Sequence, residues 1–320
     1  MTEPDSFETL RPHMFGVAYR MLGSVSDAED IVQEAFLRYQ GAARDGAEIG
    51  SLRAYLSAIV TRLAIDHLRS ARVRRETYLG MWLPEPLLTD GAQSDASMAA
   101  EMTESLSMAF LLLLERLGPV ERAAFLLHDV FGYGYDEVAR IIAKSEANCR
   151  QIVARARQRI QADRPRYETT PEHRDRLAAQ FFAAISTGDL AGLVQLLAED
   201  AVIYGDGGGK VPQLSRPVAG RVQLARLLAG WGRQMRQIGI EFRLRRVNGQ
   251  PGAVVVDEAG HCVGVFTLDV EQGSVRVVRS VINPDKLRHL GPAADIGALQ
   301  KRLAGKRHHA STKIATECAP

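Results

Sequence analysis

The sequence predicts two all-α modules followed by an α+β domain. Three observations carry this. The chain has 320 residues, about two domains at roughly 150 residues each, or three small ones. Apolar residues recur at three and four over 7–76 and again from 102 to about 162, the period of one-sided helices. From about 240 onward alternating and β-branched runs take over. Helices first and strands later argue for an α+β domain.

Within the first module, Ser26-Asp-Ala-Glu29 reads as a capping box, with Ser26 as N-cap and Glu29 at N3. The helix after it puts Ile31, Val32, Ala35, Phe36 and Tyr39 on one stripe. A second helix runs from about Leu52 to Arg75, with Leu56, Ile59, Val60, Leu63 and Leu68 as its apolar side. Trp82-Leu-Pro-Glu-Pro86 cannot be regular helix, because proline removes a donor and clashes with the preceding turn. Residues 77–104 therefore form a linker between helical modules at 7–76 and 105–164. A second linker spans Pro165–Pro171.

The third domain, 172–290, opens with helices at about 173–187 and 189–198 and a short strand, Ala201–Tyr204. A glycine loop, Asp206-Gly207-Gly208-Gly209-Lys210, and a helix at about 219–236 follow. The runs 240–247, 253–257, 261–269 and 274–282 then read as antiparallel strands. Residues 291–320 lack periodicity and are expected to be a mobile tail.

Apolar residues make 46% of the chain and charged ones 24%. Each part therefore buries a core, which excludes a mainly disordered chain, a collagen or a disulfide scaffold. The net charge is +2, an average that hides local patches. Arginine supplies 34 of the 40 basic residues. It is the better bidentate partner for phosphate and guanine, although a GC-rich genome gives the same bias. The acidic start has no apolar core, so no secretory leader is expected. The longest apolar run, Met108–Leu114, has seven residues against roughly 20 for a membrane span. Cys149, Cys262 and Cys318 are isolated, as suits a reducing cytoplasm. No cofactor or metal is expected, and His308-His309 beside Cys318 lack a ligand spacing.

Local charge is informative. Tyr135–Ala143 is a short amphipathic helix, Lys144-Ser145 a turn, and Glu146 to about Ala162 a second helix. This is helix-turn-helix spacing, whose second helix enters a major groove. Ser145 can cap that helix, and Val138, Ile141 and Ile142 can pack on Ile152 and Val153. From Arg140 to Arg166 there are eight basic residues against Glu146 and Asp163, a stretch of +6. Asn148, Gln151 and Arg155 share a face suited to base edges. Arg150, Arg157 and Arg159 accompany them, the last two better placed for phosphates. A solvated basic helix is the plainer alternative. In the first module, Arg62–Arg75 holds five arginines, among them Arg62, Arg69 and Arg72. Its one acid, Asp66, is placed to pair with Arg69. Opposite the Ile31/Phe36 stripe lie Asp27, Asp30 and Glu34. The helix dipole accounts for Asp27 and Asp30 but fades before Glu34, so an acidic protein-binding face is expected.

Leu22–Phe36 resembles the polymerase-binding region of bacterial extracytoplasmic-function sigma factors. Ala64-Ile-Asp-His-Leu-Arg69 resembles their −10 region, and residues 115–162 their −35-binding domain. Trp82–Pro86, Asp206–Lys210 and Asn283-Pro284-Asp285-Lys286 resemble motifs of the subgroup with a fused SnoaL-like domain. One departure stands out. Many relatives place Asn four residues before the −10 Asp, where this chain has Arg62.

The resemblance implies two all-α sigma domains, region 2 at 7–76 and region 4 at 105–164, followed by an α+β SnoaL-like cone. It implies a non-catalytic chain that binds core RNA polymerase and directs initiation at promoters. Asp27, Asp30, Gln33 and Glu34 would meet the β′ clamp helices, and the −35 domain would meet the β flap. Arg62, Asp66, Arg69 and Arg72 would approach −10 DNA. Asn148, Arg150, Gln151, Arg155, Arg157 and Arg159 would approach −35 DNA. The fused domain would regulate through Trp82, Pro84, Glu85 and Pro86, the 206–210 loop and Asn283–Lys286, with the glycine loop docked on the linker. A small molecule in the cone would be a signal.

Two other classes stay open. One is a helix-turn-helix regulator fused to a ligand-binding domain, the other the same regulator fused to an enzymatic one. In the enzymatic case Asp206 would serve as base with His261 as partner. The Gly207–Lys210 run is no P-loop, because Gly205 is one place out of register and Val211 replaces the Ser or Thr.

Overall fold

The structure, a computed structural model, describes residues 6–76, 78, 80–90, 104–161 and 170–305, the side chains of 71–76 excepted. The chain divides into two compact units. One comprises 1–77 with 93–165, and the other 78–92 with 166–320.

The first unit is all helical: α1 Phe7–Leu22, α2 Val25–Arg44, α3 Leu52–Glu76, α4 Met108–Leu114 and α5 Pro119–Phe125. A π turn, Leu126–Val130, follows α5, then come α6 Tyr135–Ile142 and α7 Glu146–Gln161. Gly23 ends α1 in the left-handed region, at φ 65°, where glycine carries no Cβ penalty. The chain turns at once into α2, so Ser24, two residues earlier than expected, is its N-cap. Its Oγ accepts the Asp27 N–H at 3.1 Å.

The helix-turn-helix forms as expected. Glu137 accepts the Gly134 N–H at 3.0 Å to cap α6, and Ser145 Oγ accepts the Asn148 N–H at 3.3 Å to cap α7. Val138, Ile141, Ile142, Ile152 and Val153 are all buried.

The second unit orders α8 Pro171–Thr187, α9 Leu190–Leu196, β1 Leu197–Asp206, β2 Val218–Ala219 and α10 Arg221–Gln237 before a meander. The meander is β3 Glu241–Val247, β4 Gln250–Val256, β5 Cys262–Glu271 and β6 Ser274–Val281. A 3₁₀ turn, Pro284–Leu290, follows. The sheet order is β2-β1-β6-β5-β4-β3. It is mixed rather than antiparallel throughout. The meander's last strand returns beside β1 in the same direction, so β1 and β6 pair in parallel. Asn248-Gly249 closes the β3–β4 hairpin with φ of 53° and 70°, the pair of positive values that a two-residue turn requires.

Helices α8 and α10 lie on one core with the sheet. Phe181 and Phe182 meet edge to face at 5.5 Å, and Phe182 and Phe242 pack on Phe266. The tail expectation needs correcting up to 305. Residues 296–305 are helical (α11), and Ile296, Leu299 and Leu303 pack against this core. Their spacing makes one apolar helix face, and burying it holds the segment. Residues 306–320, with His308, His309 and Cys318, lie outside the described residues.

Phe181 is fully buried, so Phe181→Ala should lower the stability of the second unit by about 3–5 kcal/mol. Urea unfolding followed by circular dichroism measures this.

Candidate functional site

A dense polar arrangement in the second unit surrounds Asp206, at the end of β1. Asp206 is fully buried. Its Oδ1 accepts the Tyr78 hydroxyl at 2.5 Å and the Gly208 N–H at 3.0 Å. Its Oδ2 accepts the Leu83 N–H at 2.9 Å and the Lys286 Nζ at 2.6 Å. Four donors on one carboxylate offset the cost of taking its charge out of water. Lys286 also donates to the Leu83 carbonyl at 2.5 Å. Its ammonium lies 4.5 Å from the Trp82 ring centroid and 4.9 Å from that of Tyr78, within cation–π range. Asn283 Nδ2 donates to the Tyr78 oxygen at 2.9 Å. Burial, then the contact with Asp206, pushes the Tyr78 hydroxyl above its ordinary pKa, so it remains a donor.

The three motifs are brought together, with partners different from those expected. Lys210 does not face the linker; its ammonium pairs with Asp285 at the surface. Asp206 takes Lys286 instead, so two crossed ion pairs join the glycine loop to Asn283–Lys286. The hydrogen bond to Lys210, then its charge, lowers the Asp285 pKa. The glycines are required by space. A Cβ on Gly207 would come within 2.4 Å of the Val211 carbonyl oxygen, and one on Gly208 within 2.2 Å of Asn283 Nδ2.

Within the linker, Leu83, Pro84, Glu85 and Pro86 are buried, whereas Trp82 is half-buried beneath the Lys286 ammonium. His289 Nε2 meets the Pro86 carbonyl at 2.7 Å. Leu87–Thr89 then lie antiparallel along the end of the edge strand β3. The Asn248 N–H donates to the Leu87 carbonyl at 2.7 Å, and the Thr89 N–H to that of Arg246 at 2.9 Å. Tyr78, the Leu83 backbone and His289 are missing from the sequence reading. Only the position of Tyr78 beside the Trp82 motif hinted at a role.

In the first unit, Asp30 and Gln33 are exposed on α2, Glu34 is half-exposed and bonded to Arg38 at 2.8 Å, and Asp27 lies 3.4 Å from the His67 ring. Leu37, unnoticed in the sequence, joins this face with 55% of its surface open. On α3, Asp66 pairs with Arg69 at 3.3 Å as expected. Arg72 lies within α3, and its side chain is outside the described residues. Arg62 is turned onto the C-terminal end of α6. It donates to the carbonyls of Ile141 and Arg140, both at 3.0 Å, which have no helical partner of their own.

On α7, Asn148, Gln151 and Arg155 are exposed on one face. Arg150 pairs with Glu146 and stacks 4.5 Å over Tyr135. Arg157 and Arg159 are engaged by Asp129 and Glu121, each at 2.7 Å. The enzymatic pairing does not form: His261 pairs with Asp257 at 3.4 Å, and Asp206 is saturated by the donors above. No cluster of metal-ligating residues occurs among the described residues, and no helix there is long and apolar enough to cross a membrane.

The first unit thus holds a helix-turn-helix and a second helical module, and the second unit is an α+β domain that takes up residues of the linker. The comparisons agree. The Sigma-70 region 2 profile matches residues 7–74, Sigma-70 region 4 matches 107–160, and the SnoaL-like domain matches 178–281. The extracytoplasmic-function sigma factor SigJ of Mycobacterium tuberculosis is 38% identical over 295 residues, covering 89% of this chain and 93% of that protein. The probable sigma factor SigI of the same species is 30% identical, covering 87% and 92%. The crystal structure of SigJ aligns with a TM-score of 0.68 at 36% identity, covering 88% of this chain and 97% of that one. The chain belongs to the extracytoplasmic-function sigma factors of RNA polymerase.

Inside the first unit, Tyr133 carries a further buried contact between its two helical modules. Its hydroxyl lies 2.7 Å from Ser57 Oγ and 2.9 Å from His13 Nε2. Burial, then the charges of Arg53 and Arg20, pushes the His13 pKa down to about 4. The folded state therefore resists a proton that the unfolded chain accepts, so stability is full above about pH 6.5 and falls as the pH drops toward 4. Urea unfolding from pH 7 to 4.5 should show this loss. His13→Gln should flatten the slope.

Proposed function

We propose that this chain binds core RNA polymerase, delivers it to promoters, and carries in its C-terminal domain a clasp for the tether between its DNA-reading modules. The observation that carries the clasp is the saturated Asp206 carboxylate, which takes the Leu83 N–H and the Lys286 ammonium together. Residues 78–92 belong to the second unit, while the stretches on either side belong to the first. A held tether fixes the reach between modules, and reach sets the effective concentration of one site once the other is bound.

The face of Asp27, Asp30, Gln33 and Glu34, with Leu37 as an apolar anchor, suits the basic β′ clamp helices. The −35 domain meets the β flap. On DNA, Asn148, Gln151 and Arg155 read base edges, and Arg150, Arg157 and Arg159 exchange their carboxylate partners for phosphates. The Asp66–Arg69 pair approaches the −10 element together with Arg72. Arg62 joins them only after leaving the carbonyls of α6. The chain acts by positioning and works without a catalytic step of its own.

Run-off transcription with core polymerase on a cognate promoter tests this. The wild type initiates at the promoter, and Asp206→Ala and Trp82→Ala each shift the yield about threefold or more by changing tether reach. Unchanged yield together with unchanged protease protection of 78–92 in both variants would sink the clasp. Failure of the wild type to initiate, with DNA binding intact, would favour a plain helix-turn-helix regulator.

A further inference from the structure

The second unit carries a half-open cavity of about 400 Å³ between α10, the inner sheet face and α11. That volume lies within the roughly 300–1,000 Å³ of small-molecule sites. Its wall is mainly apolar and includes Trp231, Val263, Phe266, Ile296, Leu299 and Leu303. Its polar groups are uncharged: Gln213, Gln234, Gln300 and Ser280. Among the described residues, no Asp, Glu, His, Lys or Arg lines it. A charged ligand would meet no counterion among these lining residues, while any part of it taken out of water loses hydration. Acid–base turnover would also lack an ionisable group within reach.

We propose that this cavity is a receptor site for an uncharged, largely apolar small molecule, held without turnover, and that its occupancy is felt by the tether clasp. Gln213 Nε2 donates to Ser280 Oγ at 3.2 Å, a neutral pair that can turn to a ligand carbonyl or hydroxyl. The coupling follows from shared strand ends. Ser280 is the register partner of Gly205, and Gln213 packs so close to Gly205 that a Cβ there would come within 2.6 Å of it. Ile282 lines the cavity, and its N–H donates to the Asp206 carbonyl at 2.9 Å. A molecule that moves Gln213, Ser280 or Ile282 therefore moves the backbone carrying Asp206. The coupling rests on the clasp reading, whereas the cavity assignment does not. The remaining tail, from Lys306 onward, is rich in Lys, Arg, His, Ser and Thr, a poor chemical match for this wall.

The test titrates the full chain with N-phenyl-1-naphthylamine, a neutral apolar fluorophore, reading its emission. Saturable one-to-one binding is expected. Leu227→Trp, which fills the space, and Leu303→Glu, which puts a charge in the wall, should each weaken it about tenfold or more. Circular dichroism confirms that both variants fold. No saturable binding by the wild type, or undiminished binding in both variants, overturns the site. Tighter binding after deletion of 306–320 would make the tail the native occupant and overturn the small-molecule assignment. Hydrogen exchange at the Leu83 amide should change when the probe binds. An unchanged amide with the probe bound overturns the coupling. The titration uses neither polymerase nor promoter, so its failure is distinguishable from failure of the transcription test.

Discussion

One buried carboxylate organises the second unit. Asp206 has no access to water and would be too costly there without partners. Its partners come from three separated stretches: the linker at Tyr78 and Leu83, its own loop at Gly208, and Lys286 beyond β6. Removing any one leaves a buried group short of a bond. The charge thus makes the linker part of the domain's fold instead of a strap lying on its surface.

The demand propagates outward. Lys286 must sit deep, so its ammonium is lodged between the Leu83 carbonyl and the rings of Trp82 and Tyr78. The Pro284–Leu290 turn that carries it is fixed in turn by Asn283, whose Oδ1 accepts the Asp285 N–H at 3.1 Å. The glycine loop has to pass close to Asn283, which leaves no room for a Cβ at Gly208. Further along, the linker leaves the clasp by pairing with β3, an edge that a strand segment can extend. The described part of the linker is thus secured at both the carboxylate and the sheet edge.

Much of this was legible in the chain. Helical period, the Tyr135–Ser145 stretch and the four β-branched runs located the modules and strands, because those signals are local. The three clasp motifs were legible as motifs, and the pairing among them was not. Asp206 and Lys210 are neighbours in sequence and carry opposite charges, so local reading joins them to one target. The fold sends Asp206 inward to Lys286 and leaves Lys210 at the surface with Asp285. Burial decides between them, and burial depends on contacts some 80 and more residues away. Tyr78 was hidden for the same reason. The α11 helix was missed despite its Ile296, Leu299 and Leu303 spacing, since one short apolar face in a Gly- and Ala-rich segment is a weak signal until a core is there to receive it. At Arg62 the departure from the family pattern was visible, but its use on the α6 carbonyls needed the packing of two modules.

The central claim is that the Asp206–Lys286 pair holds the tether in the C-terminal domain. Amide hydrogen exchange at Leu83, Asn248 and Thr89, compared between the wild type and Lys286→Met, tests it most directly. The account predicts slow exchange at all three in the wild type. In the variant, Leu83 and Thr89 should lose protection together while Val278 in β6 keeps its own. Fast exchange of Leu83 in the wild type, or protection there that survives the loss of Lys286, would contradict it.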